Sequence, residues 1–121
     1  MIELGRHIIA EFYGCKKELL KNESLLKEIL KGAVKACQAT LCGEFSRSFP
    51  VNNGVTVLLA LSESHISIHT WPEHQYAALD IFTCGENVDP WKAYQYILNI
   101  IKPERIQVTE IKRGLIIQRV E

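Results

Sequence analysis

The stretch VTVLLALSESHISIHTWPEHQYAALDIFTC, residues 55–84, decides the fold. Residues 55 to 62 are apolar on both sides, the pattern of a strand buried on both faces. The segment from Ser62 to Ser64 interrupts that run. Residues 65 to 71 then alternate strictly. His65, Ser67, His69 and Trp71 fall on one side, and Ile66, Ile68 and Thr70 on the other. After the bend WPEHQ, residues 77 to 84 form a further strand on which Ala78, Asp80, Phe82 and Cys84 share a face.

Working outward, residues 6 to 13 alternate with Ile8, Ala10 and Phe12 on one side, which predicts a first strand. From residue 24 to 37 the apolar positions Leu26, Ile29, Leu30, Ala33, Val34 and Cys37 recur at intervals of three and four. That spacing predicts a helix, with Asn22 or Ser24 as its cap. Residues 39 to 48 read as a strand and PVNNG, residues 50 to 54, as a turn, since Asn and Gly tolerate positive φ. Asp89-Pro90-Trp91 opens a second helix with an acidic cap and a Pro at the first helical position. Pro103 lies beyond its end, and residues 105 to 112 form the last strand. This order has too few crossovers for a parallel sheet. It predicts an α+β, two-layer fold: a mainly antiparallel sheet with two helices packed on one face, in a single domain spanning residues 1–121.

The formal net charge of zero and the scattered Lys and Arg residues argue against a nucleic-acid partner. No apolar run approaches the roughly 18 to 20 residues needed to span a bilayer, so the expectation is a cytoplasmic protein without a membrane partner. Cys15, Cys37, Cys42 and Cys84 lack the paired short spacing of a zinc site or dithiol motif. The first three are expected to be packing residues.

Chemistry-bearing residues concentrate between positions 63 and 84: Glu63, Ser64, His65, His69, Trp71, Glu73, Asp80 and Cys84. Polar side chains in buried strands cost free energy unless paired or used. A Ser64–His69 hydrolase lacks a nucleophile elbow. A metal site from His65, His69 and Cys84 lacks the geometry that a helix gives two His four apart, and no metal is expected. The third reading is a catalytic group made from the backbone. A serine held in a strained turn attacks the preceding carbonyl and converts amide to ester. Elimination then leaves dehydroalanine, which hydrolyses to a pyruvoyl group. That ketone can form a Schiff base with a substrate amine and act as the electron sink for a decarboxylation. Ser64, His69 and Cys84 can fill the roles of serine, acid-base residue and proton donor.

Residues 61 to 91, LSESHISIHTWPEHQYAALDIFTCGENVDPW, resemble the signature of the prokaryotic S-adenosylmethionine decarboxylase proenzymes. LGRHIIAEFYGC near the start and IKRG near the end resemble that family too, so the likeness spans nearly the whole chain. The resemblance implies self-cleavage between Glu63 and Ser64, giving a β chain (1–63) and an α chain (64–121) that begins with the pyruvoyl cofactor derived from Ser64. It also implies that His69 serves processing and that Cys84 returns the proton to the decarboxylated carbon. A homodimer with active sites at the protomer interface is expected. The adenine of S-adenosylmethionine would stack on Phe49 and Trp71, with Glu73 on the ribose and Thr56 supplying a hydroxyl. The product would be the aminopropyl donor of polyamine (spermidine) biosynthesis.

Two departures from the family pattern stand out. The turn before the cleaved strand, PVNNGVTV, is longer than usual and has Val57 where Gly is usual, which would narrow the substrate pocket, and the family's basic-aromatic segment before that turn reads FSRSFP, residues 45–50, from which Phe49 is carried over. Alternatives to the main reading are a paralogous pyruvoyl-dependent arginine or ornithine decarboxylase and a non-processing regulatory pseudoenzyme.

Overall fold

Alternating side chains in the strands become a sheet with one face under helices and one face open. The computed structural model describes residues 1–62 and 64–117. Glu63, the predicted acid before the cut, and positions 118–121 of the predicted domain lie outside the described residues. The elements are β1 (Ile2–Tyr13), α1 (Lys17–Leu20), α2 (Glu23–Ala36), β2 (Leu41–Ser48), β3 (Val55–Leu61), β4 (Ser64–Trp71), a 3₁₀ turn (Pro72–His74), β5 (Tyr76–Cys84), α3 (Pro90–Ile101) and β6 (Arg105–Ile116). Six strands run in the order β2-β3-β4-β5-β1-β6, and every neighbouring pair is antiparallel.

The predicted α+β architecture with helices on one face is what forms, with the one-turn α1 added to the two predicted helices. The Asn22 side chain accepts from the Leu25 N–H and starts α2. Asp89 does the same for the Trp91 N–H, with Pro90 at the first position of α3. These caps satisfy donors that a helix start leaves without intrahelical partners. The apolar stripe of α2, Leu26, Ile29, Leu30, Ala33 and Val34, is buried against the sheet with Ala93, Tyr94, Ile97 and Ile101 of α3. The sheet answers with Ile8, Ala10 and Phe12 of β1, Ile66 and Ile68 of β4, and Leu79 and Ile81 of β5. Each large side chain so buried contributes on the order of 1.5 to 3 kcal/mol.

The other face has no helix over it. Phe45 is 54% exposed there, Leu58 42% and Ile111 41%, and these residues surround the half-buried Asp80 and Phe82 and the exposed His65. The register puts His65, Ser67, His69 and Trp71 on this open face opposite Phe82, Asp80, Ala78 and Tyr76. The face-sharing read from the sequence therefore becomes a surface that carries the polar residues.

Candidate active site

Two clusters of candidate residues form at opposite ends of the sheet. At the first, Leu61 at the end of β3 pairs with Ser64 at the start of β4, so the residue predicted to follow the cut opens β4. The Ser62 N–H donates to the Thr40 carbonyl at 3.1 Å. A register shift between Leu41 and Gly43 marks a bulge in β2, and Cys42 Sγ there lies 3.5 Å from Ser62 Oγ. Cys42, predicted to pack, is instead exposed, because the bulged residue is left out of the pairing. Ser64 Oγ donates to the Ser62 carbonyl oxygen at 3.1 Å. Cys84 ends β5 opposite Gly5 of β1. It lines a cavity of about 460 Å³ together with Leu4, Arg6 and Glu86.

At the second end, Thr56 and His69 are directly paired across β3 and β4, and Thr56 Oγ1 lies 3.0 Å from His69 Nδ1. Both line a cavity of about 570 Å³ with Arg47, Phe49, Asn52 and Trp71. The loop that carries Phe49 is closed by its own backbone. The Phe49 N–H donates to the Gly54 carbonyl at 2.8 Å, and Asn53 at φ 59° donates to the Phe49 carbonyl at 2.9 Å. Asn52 Oδ1 accepts from the Gly54 N–H, and a Cβ at Gly54 would lie 2.7 Å from the Thr70 carbonyl oxygen. The predicted PVNNG turn is thus a built wall. Val57 does not narrow this cavity: it is fully buried and alternates with Thr56 onto the helix side. Glu73 sits exposed in the 3₁₀ turn just past Trp71.

Within one chain the two clusters stay apart. Five residues of strand separate Ser64 from His69, about 16 Å at the usual rise per residue. His69 pairs with Ala78, six residues before Cys84, or about 20 Å along the neighbouring strand. Ser64 and Cys84, by contrast, sit at the same end of adjacent strands. The Ser64–His69 hydrolase pair is therefore not formed within a chain. Nor are His65, His69 and Cys84 gathered as ligands, and among the described residues no three His, Cys, Asp or Glu side chains are.

Several site features were not legible in the sequence. Arg47 places its guanidinium 5.1 Å from the centre of the Phe49 ring, and only an R-x-F spacing on a strand hinted at it. At the centre of the open face His7 Nε2 lies 3.0 Å from Asp80 Oδ1, which gives the polar Asp80 its partner. On the helix side Arg6 donates to Glu110 through Nε at 3.2 Å and Nη2 at 2.7 Å, and Trp91 Nε1 donates to the same oxygen at 2.7 Å. Burial pushes the Glu110 carboxyl up, but these hydrogen bonds outweigh it and hold the group below the usual range. Burial pushes the Cys15 thiol up to about 11 and raises that of Cys37 as well, as expected of packing thiols.

Residues 6–114 match the model of the S-adenosylmethionine decarboxylase family. The S-adenosylmethionine decarboxylase proenzyme of Thermosipho melanesiensis is 50% identical over 115 residues, covering 94% of this chain and 87% of that protein. The proenzyme of the same name from Caldicellulosiruptor saccharolyticus is 49% identical over 122 residues, covering 100% and 97%. That of Methanococcus maripaludis is 50% identical over 117 residues, covering 96% and 94%. Among solved structures, the adenosylmethionine decarboxylase from Aquifex aeolicus superposes with a TM-score of 0.90 at 33% identity, covering 100% of this chain and 99% of that one.

Proposed function

The chain belongs to the S-adenosylmethionine decarboxylase family, whose reaction it carries out, and from that premise we propose that its catalyst is a pyruvoyl group cut from its own backbone at Ser64. The observation that carries this reading is the position of Ser64: first residue of β4, paired with the last residue of β3, with its hydroxyl donating back to the Ser62 carbonyl. Its oxygen attacks the Glu63 carbonyl and the acyl group shifts from nitrogen to oxygen. Elimination releases residues 1–63 as a carboxylate, and water then displaces ammonia from the new terminus of residues 64–121. Thr40 and the bulge at Cys42 grip Ser62 while this happens. The ketone so made supplies the electron sink for the departing carbon dioxide. Cys84, one strand over, returns a proton to the substrate carbon.

The 16 Å between Ser64 and His69 supports a homodimer with shared sites. A two-fold axis through the open face would set the Ser64–Cys84 end of one protomer over the Thr56–His69 end of the other. It would also cover Phe45, Leu58 and Ile111, which one chain leaves in water. His69, oriented by Thr56, would then serve as the base for the partner's Ser64. The substrate's adenine would stack between Phe49 and Trp71, with Glu73 beside its ribose. Among the described residues no carboxylate lines the cavity, and the Arg47 guanidinium on the Phe49 ring would repel the distal cation of arginine or ornithine.

The test is carbon dioxide release from carboxyl-labelled S-adenosylmethionine, arginine and ornithine by the processed protein. Release from the first alone is expected. Release from an amino acid with none from S-adenosylmethionine would refute the substrate.

A further inference from the structure

Trp71 is the end of a ladder. Four residues on four adjacent strands stand in one lateral row of the sheet: Trp71 of β4 pairs with Tyr76 of β5, Tyr76 with Tyr13 of β1, and Tyr13 with Arg105 of β6. Neighbouring strands lie about 4.8 Å apart, close to a stacking distance. Trp71 and Tyr76 stack with centres 5.2 Å apart and planes 30° apart. Tyr76 and Tyr13 stack at 5.4 Å and 24°. The Arg105 guanidinium closes the row 4.4 Å from the centre of the Tyr13 ring. Tyr76 is also fixed in rotation, because its hydroxyl donates to Glu11 Oε2 at 2.8 Å. Burial and the Glu11 carboxylate both raise its pKa, so it remains a donor across the working range.

Beyond Trp71 the row reaches the cavity that Phe49 bounds on the far side, with Arg47 over the Phe49 ring. The cavity therefore lies between the aromatic row that ends at Trp71 and the Phe49 ring that carries Arg47. Resting on the substrate reading above, we propose that Tyr76, held by Tyr13, Arg105 and Glu11, is a positioning residue that selects purine-bearing substrates by fixing the plane of Trp71. Trp71 is 38% exposed, and without the ring behind it the indole would swing and the ordering cost would fall on binding. Tyr76 does not line the cavity that Thr56, His69 and Trp71 bound and meets it only through its stack on Trp71, so the bond-breaking step should not sense it.

The experiment measures KM for S-adenosylmethionine, kcat and the half-time of self-cleavage for wild type, Tyr76→Leu and Tyr76→Phe. Tyr76→Leu should raise KM about fivefold, with kcat and cleavage half-time within a factor of about two of wild type. Tyr76→Phe, which keeps the ring and loses the tether, should recover most of that rise. An unchanged KM in Tyr76→Leu, or kcat and cleavage falling in step with KM, would overturn the proposal. If Tyr76→Leu does not fold, Arg105→Gln at the outer end of the row should raise KM about twofold, and no rise would count against the ladder. A wild-type protein that released no carbon dioxide from S-adenosylmethionine would instead overturn the substrate reading on which this rests.

Discussion

Separating Ser64 from His69 in one chain predicts complementation between two inactive variants. Ser64→Ala cannot start the acyl shift, and His69→Ala lacks the base. A general base acts within about 3 Å of the proton it takes, while these residues lie about 16 Å apart along β4. No plausible side-chain rotation within β4 spans that gap. Co-expressed in equal amounts, the two variants should pair at random, so about half of the His69→Ala chains would meet a Ser64→Ala partner. In each such hybrid one shared site holds Ser64 from one chain and His69 from the other, and the second site holds neither. About half of the His69→Ala chains, or a quarter of all chain, should then be cut. The assay is a denaturing gel with different tags on the two variants. Cleavage of neither variant when mixed, with hybrid dimers present, would refute the shared site. Cleavage of His69→Ala alone at the wild-type rate would remove His69 from the mechanism.

Three other outcomes follow from particular contacts. Thr70 Oγ1 donates to the Leu20 carbonyl at 2.8 Å and accepts from the Val55 N–H at 2.9 Å, both buried; Thr70→Val strands both groups and should cost about 2 to 4 kcal/mol, read as a Tm fall on the order of 10 °C. Because the Glu110 carboxyl is held below the usual range, its stabilising effect is complete above the unfolded value of about 4.3 and is lost as pH falls through the lower folded value. Urea midpoints measured from about pH 5 downward should therefore drop in wild type and drop less steeply in Glu110→Gln. Cys84→Ala enzyme that does process should turn over slowly and lose activity during turnover, leaving an alanine terminus on the α chain that mass spectrometry would detect; full turnover without that product would assign the proton to another donor.

The strands of residues 55–84 were legible because residues 55–62 form an apolar run, residues 65–71 alternate strictly and both bends carry turn residues. The helices were legible because Asn22 and Asp89 cap apolar stripes of helical period. Local pattern did not reveal the full length of β1 or β6. Glu3, Gly5 and Arg6 break the apolar alternation of β1, yet they pair with Leu115, Arg113 and Lys112 of β6. The one-turn α1 carries a single buried side chain, Leu20, too little for a periodic signal. Motif spacing placed Ser64, His69 and Cys84 in one neighbourhood of the sequence, but a strand's rise sets them at two ends of a sheet. Val57 read as a pocket residue until its parity put it under the helices. The Tyr13–Tyr76–Trp71 row depends on β1 being inserted beside β5, a tertiary fact that no single segment encodes.

Intact mass of the freshly purified chain under denaturing conditions tests the pyruvoyl account most directly. The account predicts two fragments, residues 1–63 and residues 64–121, the second lighter than a serine-started peptide by one ammonia. A single species at 13.8 kDa after prolonged incubation, or a second fragment that begins with an unmodified serine, would contradict it.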